Sequence, residues 1–140
     1  MSGPTAWRRH RTARQLLGER GAAAVEFALV VPVLLVLVFG IVEYSRAFNA
    51  QSALSDAARE GARTMALTND VGQARSAARN AALPLAVPAN SISVTPTSCT
   101  GASATQQVTV TITFRQTFAS GLLGRTGVDL IGRAAVRCGG

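Results

Sequence analysis

Two hydrophobic patterns follow one another along the chain. In the first, residues 27–42 are sixteen positions without a charge, and thirteen of them are Leu, Ile, Val or Phe. Counting back to Ala22 gives twenty-one residues, about the ~20 that an α-helix needs to cross a bilayer. The thirteen large apolar residues favour insertion by roughly 4 to 8 kcal/mol in total. Two residues interrupt the pattern. Glu26 stands at its entrance, where a carboxylate snorkels toward the interface and costs less than the ~3 kcal/mol of a central charge. Pro32 lies within it, and a membrane helix tolerates the resulting kink because neighbouring groups satisfy the freed backbone.

In the second pattern small and apolar residues recur near helical spacing at Ala47, Ala50, Leu54, Ala57, Ala58, Gly61 and Met65, with no proline from Glu43 to Leu67. The helix is therefore expected to continue outward. Its other side carries Ser52, Ser55, Asp56, Arg59, Glu60 and Arg63, a solvated face with acid and base at i,i+3 spacing. The Ala/Gly stripe, centred on Ala57 and Gly61, permits close helix packing. A bundle or filament seam and packing on the chain's own sheet are both open from sequence. Thr68-Asn69-Asp70 breaks the helix, with Asn69 or Asp70 as N-cap of a second alanine-rich helix through about Leu83, ended by Pro84 and Pro88. Beyond it Val108, Val110, Ile112 and Phe114 alternate with Thr109, Thr111 and Thr113, which predicts a half-buried strand. Residues 91–97 and 128–137 are its expected companions. The fold class is thus α+β: a transmembrane helix continuing into an extracytoplasmic one, a short helix, and a small antiparallel sheet. A Ser/Thr-rich glycosylated stalk is the competing reading, and strict alternation favours the sheet.

Charge fixes the expected topology. The net charge is +7, and before Gly21 five arginines (Arg8, Arg9, Arg11, Arg14, Arg20) stand against Glu19 alone. By the positive-inside rule that end is cytoplasmic, with only Arg46 close on the far flank. The expected organisation is a basic leader over 1–21, a transmembrane helix over 22–44 and an extracytoplasmic domain over 45–140, in a single-pass membrane protein. A secretory signal cleaved near Ser45-Arg46-Ala47 competes with this reading. The apolar run is longer than the usual h-region, and a carboxylate at its entrance is out of place there.

The order Gly21, Ala22-Ala23-Ala24-Val25, Glu26-Phe27 and then the apolar run, behind an arginine-rich leader, resembles a prepilin-type signal of the type IV pilin superfamily. Together with the AAREGAR stretch at 57–63, it is similar more narrowly to the TadE-like family, pseudopilin-like proteins of tight-adherence pilus assembly. The resemblance is strong over 21–67 and implies several things. A prepilin peptidase would cut between Gly21 and Ala22, leaving the glutamate as the fifth residue of the mature chain. Glu26, with Phe27 beside it, would serve assembly by pairing with the new α-amino group of a neighbouring subunit, and Pro32 would bend a helix that packs beside others. The implied partners are the membrane, the peptidase, other pilin-like subunits and assembly-platform proteins.

Cys99 and Cys138 are the two cysteines, and both fall in the part assigned to the oxidising side of the membrane. A disulfide is the economical reading, and two free thiols stay open. His10, the single histidine, lies in the leader, so no histidine-based nucleophile or metal cluster can form beyond it. No cofactor or metal is expected, and no catalytic residue. The "GLLGRTG" stretch at 121–127 lacks the GK[ST] ending of a phosphate-binding loop and reads as a connector. The nine later arginines are scattered among six acids, which argues against a nucleic-acid groove. A non-catalytic pseudopilin is the leading expectation. An uncleaved membrane-tethered binding module and, behind it, an extracellular DNA-capture protein are the alternatives.

Overall fold

In lipid a chain must satisfy its own backbone N–H and C=O groups, and the helix does so within one segment. The computed structural model describes residues 10–103, 105–118 and 126–139, with side chains from Gly21 onward. The leader's side chains and most of the 121–127 connector lie outside the described residues. A helix α1 runs His10–Thr68, followed by α2 (Val71–Ala81), a 3-10 turn (Ala89–Ser91), β1 (Ile92–Thr95), β2 (Gln107–Thr117) and β3 (Gly127–Arg137). The chain divides into two compact units between Ile41 and Val42. The order of a long apolar helix, a short helix and a three-stranded antiparallel sheet is the α+β, pilin-like arrangement expected.

In the first unit, every side chain of α1 from Gly21 to Ile41 is exposed apart from the half-buried Val31. This helix is long and apolar enough to cross a membrane by length and composition.

In the second unit, α1 ends where Asn69 takes a left-handed conformation, φ 51°, and its N–H donates to the Met65 carbonyl at 2.9 Å. Asparagine tolerates that region because its short polar side chain bonds locally. Asp70 then caps α2, its Oδ1 accepting from the Gly72 N–H at 2.7 Å and the Gln73 N–H at 3.1 Å. Of the two cap candidates, one ends a helix and the other starts the next. α2 stops at Ala81, two residues before the expected end at Leu83.

The sheet has the order β1-β2-β3, antiparallel throughout. β1 is shorter than expected and stops before Pro96, which cannot donate to the ladder. On the inner face, Val108 pairs with Val136, Val110 with Ala134 and Val94, Ile112 with Gly132 and Ile92, and Phe114 with Leu130. The opposite face carries Thr109, Thr111, Thr113 and Arg115, and Arg115 pairs with Asp129 at 3.1 Å. Leu54, Met65, Ile92, Val108, Val110 and Ile112 are the largest fully buried side chains, and alanines from both helices fill the space between them. No polar side chain is buried among the described residues.

Candidate functional site

Around Gly21 the helix is open: a Cβ there would meet nothing within 4 Å. Ala22 follows, and Glu26 lies one helical turn further on, on the same face. Both are exposed, and Phe27 beside them is 69% exposed. Glu26 makes no ion pair among the described residues. Pro32 lies inside α1, where it removes the N–H that would bond to the Ala28 carbonyl. The structure therefore presents Gly21, Ala22, Glu26, Phe27 and Pro32 on one apolar stretch of helix whose described side chains up to Ile41 are exposed apart from half-buried Val31.

Tyr44 and Phe48, at the start of the second unit, are 73% and 65% exposed. Their rings stack with centroids 6.5 Å apart. Exposed just past an apolar span, the Tyr44 ring suits the headgroup level of a bilayer, where its apolar body and polar hydroxyl are both accommodated, and Phe48 stacks on it.

The small-residue stripe packs inside the second unit. Ala57 and Gly61 are both buried. A Cβ on Gly61 would lie 2.9 Å from the Ala78 Cβ and 3.1 Å from the Ala74 carbonyl, with Val110 of β2 at 3.5 Å. Glycine and alanine thus let α1 approach α2 and the sheet closely. The polar positions on the other side, Ser52, Asp56, Arg59, Glu60 and Arg63, are exposed, with Asp56 and Arg59 at 3.8 Å.

Cys99 and Cys138 form a disulfide with Cα atoms 5.4 Å apart. Beyond the helix break or cap that its place in the sequence indicates, the Asn69 side chain ties this staple to the helix end. Its Oδ1 accepts from the Cys99 N–H at 2.6 Å and its Nδ2 donates to Thr100 Oγ1 at 2.7 Å. The Cys138 N–H donates to the Gln106 carbonyl at 2.9 Å, extending the β2–β3 pairing past Arg137. One signal was available: asparagine in a helix break takes the left-handed conformation readily. Beside it, the backbone N–H of Gln73, then that of Gly72 and the Gln73 side chain, hold the Asp70 carboxyl below its ordinary 3.8.

Among the described residues no group of three or more His, Cys, Asp or Glu could hold a metal ion. The arrangement supplies an apolar helix with one carboxylate, and a small stapled domain. Residues 21–63 match the family model described as TadE-like protein. This segment is TadE-like. No curated protein and no solved structure matches the chain. The TadE-like match begins at Gly21 and ends at Arg63, so it takes in the apolar helix, Glu26, Pro32 and the Ala57/Gly61 stripe. The sheet, the disulfide and Asn69 lie outside it. Within the TadE-like segment, apolar side chains face outward up to Ile41, and small ones face inward from Ala50.

Proposed function

We propose that this protein is a TadE-like pseudopilin, a non-catalytic, membrane-anchored structural or assembly component of a tight-adherence pilus or related secretion machinery. The observation that carries the reading is the TadE-like match beginning at Gly21, on a helix whose apolar side chains are exposed from Gly21 to Ile41 save for half-buried Val31. In this reading the arginine-rich end is cytoplasmic, the helix spans the membrane, and residues 45–140 lie outside the cell.

A prepilin peptidase would cut between Gly21 and Ala22. The described helix runs through this point, so the substrate has to open locally. Glycine makes that easiest, since it weakens a helix interior by about 1 kcal/mol relative to alanine, and no side chain crowds it. Cleavage creates a cation at Ala22 next to membrane-embedded Glu26. Pairing of the Glu26 carboxylate with such an amine on a neighbouring subunit lowers the penalty of holding either charge among apolar helices. The partners in this reading are the peptidase, other pilin-like subunits and the assembly platform.

Intact mass of the membrane-purified protein from peptidase-competent and peptidase-deficient cells tests cleavage. A chain starting at Ala22 only in the competent cells is expected. One starting at Met1 or Ser2 in both would leave an uncleaved tethered module instead. Glu26→Ala should leave membrane insertion intact and lower co-purification with partner helices about three- to twentyfold, the range spanned by interhelical polar contacts. Unchanged co-purification would remove the pairing role.

A further inference from the structure

β3 is an edge strand, and its free edge opens onto a cleft. The Gln51 side chain donates to the Ile131 carbonyl at 2.8 Å, which places that carbonyl on the side away from β2. The Cys138 N–H, in contrast, bonds to Gln106 on the β2 side. Antiparallel pairing alternates these directions residue by residue, so the N–H and C=O groups of Arg133, Ala135 and Arg137 also point away from β2. Alongside them lies a cleft of about 740 Å³ lined by Arg59, Arg63 and Leu67 of α1 and by Arg133, Ala134 and Val136 of β3. Its lining combines the apolar Leu67, Ala134 and Val136 with Arg59 and Arg63 from α1, while Arg133 belongs to the outer-face register of β3 at the same edge. Arg63 and Arg133 make no ion pair among the described residues, and Arg59 has only the exposed Asp56.

We infer that this cleft receives a fourth strand from a partner polypeptide, an extended segment in which acidic side chains alternate with small apolar ones. The β3 backbone groups that point away from β2 supply the main-chain bonds, the apolar lining takes the small side chains, and the carboxylates meet Arg59 and Arg63 on the α1 side or Arg133 on the other. A second copy of this chain fits poorly. Two β3 edges pairing antiparallel about Ala135 would set Arg133 opposite Arg137, like charges directly across from each other, and the one acid on these strands, Asp129, already pairs with Arg115. A lipid headgroup fits poorly as well. Arg59 lies eleven residues beyond Phe48, about 16 Å along the helix, whereas the polar layer of one leaflet is only about 5 to 8 Å deep. The inference goes beyond pseudopilin assembly through the apolar helix and does not depend on cleavage at Gly21.

The test uses the full chain in nanodiscs with its disulfide intact, and as probes a Glu–Val alternating heptapeptide and its Lys–Val counterpart. The acidic peptide is expected to bind at least about tenfold tighter than the basic one and to protect the amides of Arg133, Ala135 and Arg137 from hydrogen exchange. Arg63→Glu should reduce its affinity about tenfold or more. Ala135→Pro, which deletes an edge N–H and no bond to β2, should also weaken binding. Equal binding of the two peptides, or binding that leaves the β3 amides unprotected, would overturn the inference. So would protection of those amides without peptide, whether through self-association seen in sedimentation or only in nanodiscs of anionic lipid.

Discussion

The two halves of α1 meet different surroundings with different side chains. From Gly21 to Ile41 the helix presents Val, Leu and Phe in every direction, nearly all exposed. From Val42 to Thr68 the buried positions are Ala50, Leu54, Ala57, Ala58, Gly61, Ala62, Met65 and Ala66, with charged residues opposite. Large apolar residues all round give a surface suited to lipid, where transfer energy counts and close approach does not. A narrow stripe of small residues suits protein, where backbone distance decides how much contact is made. In the second unit, then, shape should matter more than hydrophobicity, and in the first the reverse.

The largest expected effect lies outside the TadE-like segment. The Cys99–Cys138 bridge joins residues 39 apart. In the chain-entropy model, closing such a loop contributes about 4 kcal/mol, a large share of a small domain's stability. Reduction, or Cys99→Ser with Cys138→Ser, should lower the exchange protection of β2 amides by about that amount and leave membrane insertion unchanged. Loss of insertion on reduction would break the separation between the two halves. The next effect contrasts two glycines. A Cβ on Gly132 would run into the Leu54 carbonyl, so Gly132→Ala should destabilise the domain by about 1 to 3 kcal/mol through backbone displacement. Gly40 has nothing within 4 Å, and Gly40→Ala should be neutral or stabilising by up to about 1 kcal/mol. Unfolding midpoints of both variants in detergent check this, and equal effects would show that packing constrains both halves alike.

The sheet was legible because period-two alternation in 108–114 states which residues face inward, and the pairing of Val108, Val110, Ile112 and Phe114 follows it. The apolar helix was legible because length and lack of charge are one-dimensional properties. What covers the Ala57/Gly61 stripe was not, since small residues say that something comes close without saying what. The structure answers with Ala74, Ala78 and Val110. Gly132 carries a signal of its own: glycine within a strand marks close backbone approach. Asn69 marks a helix break, but its bonds to Cys99 and Thr100 depend on residues about thirty positions away, which no local pattern records. The basic cleft combines Arg59 and Arg63 with Arg133, and only the fold brings them together.

The smallest effect concerns how α2 begins. A membrane helix has its backbone satisfied by its own apolar segment, whereas the solvated α2 relies on Asp70 for two of its first N–H groups. Those bonds favour the carboxylate, so the folded Asp70 titrates below its ordinary 3.8. A depressed folded value means that the stabilisation is present above the unfolded value and disappears as pH falls through the folded one. Acidification below about pH 4 should therefore loosen the first turn of α2 before it disturbs the stapled sheet. The Gly72 and Gln73 amide proton shifts, followed by NMR, should titrate together with a midpoint under 3.8, and Asp70→Asn should abolish that titration while keeping an oxygen acceptor at the cap. A midpoint at or above 3.8 would mean that the cap bonds do not favour the charged form, and α2 would then owe its start to packing of Ala74 and Ala78 against α1 alone.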